Sequence, residues 1–325
     1  MKLKKLLPGL AAVALGTIML ASEVYASEKN DIHFLIPGGP GGGWDGTARG
    51  TGEALMNAGK IEHASYQNMS GGGGGKAIAY LIETAEKQKN TLMVNSTPII
   101  IRSLTGVFPQ SFRDLKPVAG TIADYGAFVV RKDSKYTSWQ QVEKDFKNNP
   151  RRVKFSGGSA RGSLDHLVAA MALRAANADI KRLTYIAYDA GGKAMAALLS
   201  GETAVLSTGV GEALSMAQAG EVRILAITAK ERIAAAPTVP TLKEMGYDVE
   251  FANWRGFFAA PSMPDSKVAQ YSKLLGDVQT TTQWDEIKQR NAWVNLYNND
   301  QQFYAFLERQ EKEIGSLMRE LGFLK

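Results

Sequence analysis

The chain has 325 residues, 45% of them apolar, with no cysteine and a net charge of +6 from 38 Lys and Arg against 32 Asp and Glu. Zero cysteines exclude disulfides, thiolate metal sites and a cysteine nucleophile, and no Lys/Arg block forms the basic arm that a nucleic-acid partner requires. The length fits two domains better than one, and the apolar fraction suffices for a core without covalent staples.

The first residues read as an export signal. Lys2, Lys4 and Lys5 precede the apolar stretch Leu6 to Leu20, and Val24-Tyr25-Ala26 offers small residues for cleavage after Ala26. Pro8 and Gly9 interrupt that stretch, which is shorter than the ~20 residues of a membrane span. A cleaved signal over 1–26 and a periplasmic mature chain are therefore expected. The signal carries +2 of the net charge (three lysines against Glu23) and leaves +4, a weak field that gathers acids.

Strand-like runs follow at Ile32–Ile36, Thr91–Val94, Ala127–Arg131, Val153–Phe155, Thr184–Ala187, Ala204–Leu206, Ile224–Ile227 and Gly256–Ala259. Helical spacing appears between them, as in Ala77 to Lys87 and Leu164 to Ala176, and again in the amphipathic stretch Gln301 to Leu321. This alternation predicts an α/β fold with mostly parallel sheets flanked by helices. Two glycine-rich loops stand out, each between a strand and a helix: Pro37 to Asp45 after the first strand, and Ser156 to His166 after the fourth. Such a loop offers backbone N–H groups and the positive end of a helix dipole to an anion. Their separation predicts two lobes joined by at least two crossings, one at 27–125 plus 258–325 and the other at 126–257.

Gly38, Gly41, Gly42 and Gly43 permit close approach of backbone to ligand or simply form a turn. Gly71–Gly75, with Gly73 as its candidate, reads either as site or as connector. Trp44 stacks on a ligand or plugs a gap. Asp45 organises the loop rather than meeting an acidic ligand, which it would repel. Ser96 and Thr97 are candidates by position after a strand. Ser156, Ser159 and Ser163 are hydroxyl donors, Arg161 is a bidentate fork for a carboxylate, and Tyr188 closes the far side. Trp254 and Arg255 serve a hinge or the site. Binding is expected to need no metal and no cofactor; calcium bridging through Asp45, Asp165 or Asp189 is the specific alternative. Ser163 and His166 at i, i+3 invite a nucleophile–base reading, but no G-x-S-x-G elbow is present. Pro37 and Pro40 argue against a dinucleotide loop, and the histidines lack metal-ligand spacing.

In order along the chain, Pro37 to Asp45, Met69 to Ala77, Gly120 to Tyr125, Ser156 to Ser163, Tyr188 to Gly192, Arg223 to Thr228, Val239 to Tyr247 and Trp254 to Phe258 resemble the solute receptors of tripartite tricarboxylate transporters, the TctC or Bug family. The resemblance implies a two-lobed, type II-like periplasmic binding protein. It would close on a small organic acid, citrate foremost, as a monomer, and deliver it to membrane permease subunits. It implies binding by amides, hydroxyls and water, and no catalysis. A ligand sensor for a membrane kinase shares the fold and stays open as an alternative.

Overall fold

A computed structural model describes residues 31–325; the expected export signal lies outside them. The chain begins with β1 (Ile32–Ile36), α1 (Gly43–Asn57), β2 (Ala64–Asn68), α2 (Gly75–Glu83), β3 (Thr91–Ser96) and α3 (Pro98–Leu104). It continues with β4 (Lys116–Arg131), α4 (Trp139–Asn148), β5 (Phe155–Gly157), α5 (Leu164–Ala175), β6 (Tyr185–Ala187) and α6 (Gly191–Leu199). Then come β7 (Val205–Gly209), α7 (Val210–Gln218), β8 (Val222–Ile227) and β9 (Ala252–Ala259). The last elements are α8 (Asp265–Val278), α9 (Thr282–Arg290), β10 (Val294–Asn298) and α10 (Asp300–Glu320). Among the described residues no helix is long and apolar enough to cross a membrane.

The strands make one curled, mixed sheet in two portions. In the first, β2, β1 and β3 are parallel, and β9 joins β3 antiparallel. In the second, β6, β5 and β7 are parallel. β4 belongs to both. Its residues 116–125 pair antiparallel with β9, while Gly126 to Arg131 pair with β7 and β8. The parallel order expected from the alternation thus holds in the outer strands and gives way to antiparallel pairing along β4. β9 starts opposite Tyr125, immediately after Phe251 donates its N–H to Thr228 O of the second portion. The return crossing therefore lies at 251–252, and the expected boundary at 257/258 falls inside β9.

Burial explains which runs became central strands. All six residues of β3 are buried, as a strand covered on both faces requires. One face of the first portion packs Phe34, Ile36 and Val94 against Tyr271 of α8 and Trp284 of α9. On the other face Phe303, Leu307, Ile314 and Met318 of α10 form the buried stripe expected from the 301–321 spacing. A capping box of Asn299 and Gln302 starts that helix. The end of α10 then reaches the second portion, where Arg174 donates to Glu320 O and Phe323 lies edge-on to His166 with ring centroids 5.0 Å apart.

Candidate functional site

Both glycine loops face a single cleft of about 270 Å³ between the two portions of the sheet. Three helices start at its wall: α1 after Gly42, α5 after Ser163 and α6 after Ala190. α1 and α6 have no side chain hydrogen-bonded over the first turn, whereas in α5 Asp165 N–H donates to Ser159 Oγ at 2.9 Å. Their free N–H groups and dipole ends consequently face the cleft, an arrangement suited to an anion. The lips of the cleft touch: a Cβ on Gly42 would stand 3.2 Å from that of Ala190. Glycine is required at the floor as well, where Gly71 to Gly74 all have positive φ. The five-glycine run is thus a defined turn at the cleft.

Of the residues expected at a site, Gly38, Gly42, Gly43, Trp44, Gly73, Ser96, Ser159, Ser163 and Tyr188 line this cleft together. Trp44 is held there by its indole N–H, which donates to Ser96 Oγ at 2.9 Å. Gly41 is exposed at the lip, facing Gly192 across it and outside the lining, and Asp45 stands behind the wall. Asp45 is 6% exposed and accepts from Gly41 N–H at 3.0 Å, from Asn68 Nδ2 at 3.0 Å and from Arg49 Nε at 2.9 Å. Its carboxylate organises the loop from inside.

Three expectations are corrected. Ser156 lies in β5 with its hydroxyl 2.9 Å from that of Thr203, inside the second portion and away from the cleft. Thr97 is fully buried at the start of α3 and does not reach the wall. Arg161 is exposed and no part of the lining; its backbone carbonyl, not its guanidinium, is used, accepting from Arg102 of α3 at 3.1 Å. The loop tip turns its side chain outward to solvent. His166 is likewise no general base for Ser163. Its Nδ1 accepts from Gly162 N–H at 3.0 Å, its ring stacks on Tyr185 at 4.7 Å, and burial, helped by Arg161, pulls its pKa down to about 4.

Sequence reasoning named Asp165 only as a calcium alternative and missed Glu212 and Asn253 of the inner cleft. Asp165, in the first turn of α5, and Glu212, in the first turn of α7, both line it, as do Asn253 and Arg255 of β9. The strand–glycine–helix pattern Thr208-Gly209-Val210-Gly211-Glu212 repeats the logic of the two glycine loops and was the available signal. Arg255, 3% exposed, donates to Asp124 Oδ2 at 3.0 Å and to Thr47 Oγ1 at 3.1 Å, so it ties α1 to β4 beneath the cleft. Burial pushes Asp124 up to about 6 against the pull of Arg255. Burial and the neighbouring Glu212 push Asp165 up to about 7. Among the described residues no three His, Cys, Asp or Glu side chains are grouped to hold a metal ion.

A family model described as the tripartite tricarboxylate transporter family receptor matches residues 65–323. The chain belongs to that family. It is a receptor rather than an enzyme, and the family places it among periplasmic solute-binding proteins. A relative from Pseudomonas sp. (strain P51), the protein of the tcbD-tcbE intergenic region, is 28% identical over 271 residues, covering 82% of this chain and 78% of its own. The periplasmic binding protein BugD has the same fold, with a TM-score of 0.81 at 19% identity over 91% of this chain and 98% of its own. MatC from Rhodopseudomonas palustris with bound malate matches with a TM-score of 0.77 at 19% identity over 91% of this chain and 99% of its own.

Proposed function

We propose that this receptor captures a small carboxylate in the cleft between two closing lobes and hands it to the membrane permease of a tripartite transporter. The two portions of the sheet are the lobes, divided where β4 and the 251–252 segment cross. The observation that carries the reading is the convergence of three helix N-termini on one small cleft, two of them uncapped, α1 from the first portion and α6 from the second. Each contributes N–H donors and a dipole end worth about 0.3–1 kcal/mol toward an anion, more in a partly buried setting. The site needs atoms from both lobes, so ligand favours the closed form, and a closed form is what a permease can recognise. The malate carried by MatC supports the acid class. Citrate is the tricarboxylate the family resemblance favours, and it competes here with acids of lower charge.

A thermal-shift screen of small organic acids, citrate among them, tests the reading. An acid at 100 times its dissociation constant is expected to stabilise the protein by about 2.7 kcal/mol. Small-angle scattering with the best acid is expected to show a smaller radius of gyration than without it. A panel in which no carboxylate shifts the melting point, or a tight acid that leaves the scattering unchanged, removes the capture-by-closure mechanism.

A further inference from the structure

The inner end of the cleft is built for the opposite charge from its mouth. Asp165 and Glu212 line the cleft and also a chamber of about 30 Å³ behind it, together with Asn253, Asp124 and Arg255. That chamber exceeds the about 10–15 Å³ that one water needs and has room for a single small polar head. Three carboxylates and one guanidinium surround it, and the guanidinium is committed to Asp124 at 3.0 Å. Glu212 uses one oxygen, Oε2, to accept from Thr208 Oγ1 at 2.8 Å and from Gly209 N–H at 3.2 Å. Asp165 has the Ser159 hydroxyl and amide beside it and otherwise faces the cleft. An independent sign comes from Asn253, which is 8% exposed and whose Oδ1 is buried without a hydrogen-bond partner. A buried acceptor of this kind costs about 1–3 kcal/mol unless something donates to it.

Three carboxylates and the unpartnered Asn253 Oδ1 outnumber the one unpartnered guanidinium donor, Arg255 Nε, so the chamber is dominated by acceptors and negative charge. A second carboxylate of the ligand would meet like charge at this end. A primary ammonium brings three N–H donors, no acceptor and a compensating charge. We infer that the ligand is a small amino acid, whose ammonium sits among Asp165, Glu212 and Asn253 Oδ1 while its carboxylate meets the N-termini of α1, α5 and α6. This deepens the capture reading and rests on it.

Calorimetry on the full mature chain with two matched series tests the inference. The series are succinate, malate and aspartate, and glutarate, 2-hydroxyglutarate and glutamate; within each, only the group on C2 changes, from hydrogen to hydroxyl to ammonium. In at least one series the amino member is expected to bind about tenfold or more tighter than the other two, the worth of a charge-assisted hydrogen bond. Asp165→Asn and Glu212→Gln are expected to weaken the amino member about tenfold and to tighten the unsubstituted one, because each removes a like charge from its path. Melting curves establish that both variants fold. An unsubstituted or hydroxy acid that binds as tightly as the amino member in both series overturns the inference and leaves carboxylate capture intact. Tightening of the amino member by both variants overturns it as well. If no member of either series binds, the inference is overturned, and the screen that includes citrate decides the carboxylate reading separately.

Discussion

Asp45 and Asp165 hold matching places, each in the first turn of a helix that follows a glycine loop, and the fold uses them in opposite ways. Asp45 is saturated: Gly41, Asn68 and Arg49 all donate to it, and it never reaches the cleft. Asp165 keeps its carboxylate turned to the cleft beside a second acid, Glu212. The first spends its charge on the shape of its own loop, and the second holds its charge in reserve at the cost of an elevated pKa. A carboxylate near an anion site thus means nothing until its partners are counted.

The largest effect expected is at Arg255, which ties α1 to β4. Arg255→Met leaves Asp124 buried without its cation, at a cost of about 3–5 kcal/mol at pH 8. Asp124 titrates near 6 in the folded protein, above its unfolded value, so its favourable share of stability is present at low pH and lost as the pH rises. Chemical denaturation at pH 5 is therefore expected to show a smaller cost than at pH 8, and equal costs at both would contradict the ion-pair account.

The two aspartates are expected to respond to the same substitution with opposite signs. Asp45→Asn removes an acceptor from Gly41 N–H and the partner of Arg49, and destabilises by about 2 kcal/mol, with weaker acid binding because the loop loosens. Asp165→Asn is expected to stabilise the ligand-free protein by about 1–2 kcal/mol at pH 8. The folded carboxyl holds its proton to about pH 7, so wild type loses stability between pH 4 and 7 while the variant does not. Melting curves at pH 4 and pH 8 separate the cases: the Asp165 gain opens only at the higher pH. If both variants destabilise alike, the contrast between the two loops is void.

The same titration gives the affinity for an amino acid a sign. Ionised Asp165 favours an ammonium, so binding is expected to tighten as pH rises from 6 to 8. The groups facing Asp165 are Glu212 of α7, Arg255 of β9, Tyr185 of β6 and the Ser159 hydroxyl. Of these Tyr185 is pushed well above its ordinary value and stays neutral across the window. Calorimetry at three pH values reads the slope; weaker binding on the alkaline side would mean that protonated Asp165 donates to the ligand instead. The smallest effect is expected at Arg161→Ala, whose side chain points to solvent: less than about 0.5 kcal/mol in stability or binding. A tenfold loss of affinity there would return the arginine to the site.

The glycine loops were legible because glycine and its neighbours carry their own geometry. Each of the eight strand-like runs overlaps a strand, though Val153–Phe155 meets β5 only at Phe155, since buried apolar runs leave a dense local signal. β2 (Ala-Ser-Tyr-Gln-Asn) and β10 (Val-Asn-Leu-Tyr-Asn) passed unnoticed because they are largely polar and only partly buried. Side-chain direction was the harder quantity. Ser156 and Ser159 stand three residues apart, yet one bonds Thr203 inside the sheet and the other lines the cleft, a difference set by where β5 ends. Asp165, Glu212 and Asn253 come from three elements, and only their tertiary meeting gives them a joint meaning.

The strand shared by both halves also fixes an order of assembly. The second portion of the sheet is continuous in sequence, from Gly126 of β4 to Ile227 of β8. The first is split around it, because β3 and the near end of β4 are joined to each other only through β9, with Lys116 opposite Ala259. Closing a loop of that size is slow compared with local pairing. β3 must therefore wait, unpaired on one side, until more than 250 residues exist. In a family of periplasmic receptors such a delay keeps the two portions of the sheet from closing on each other until most of the chain has been made.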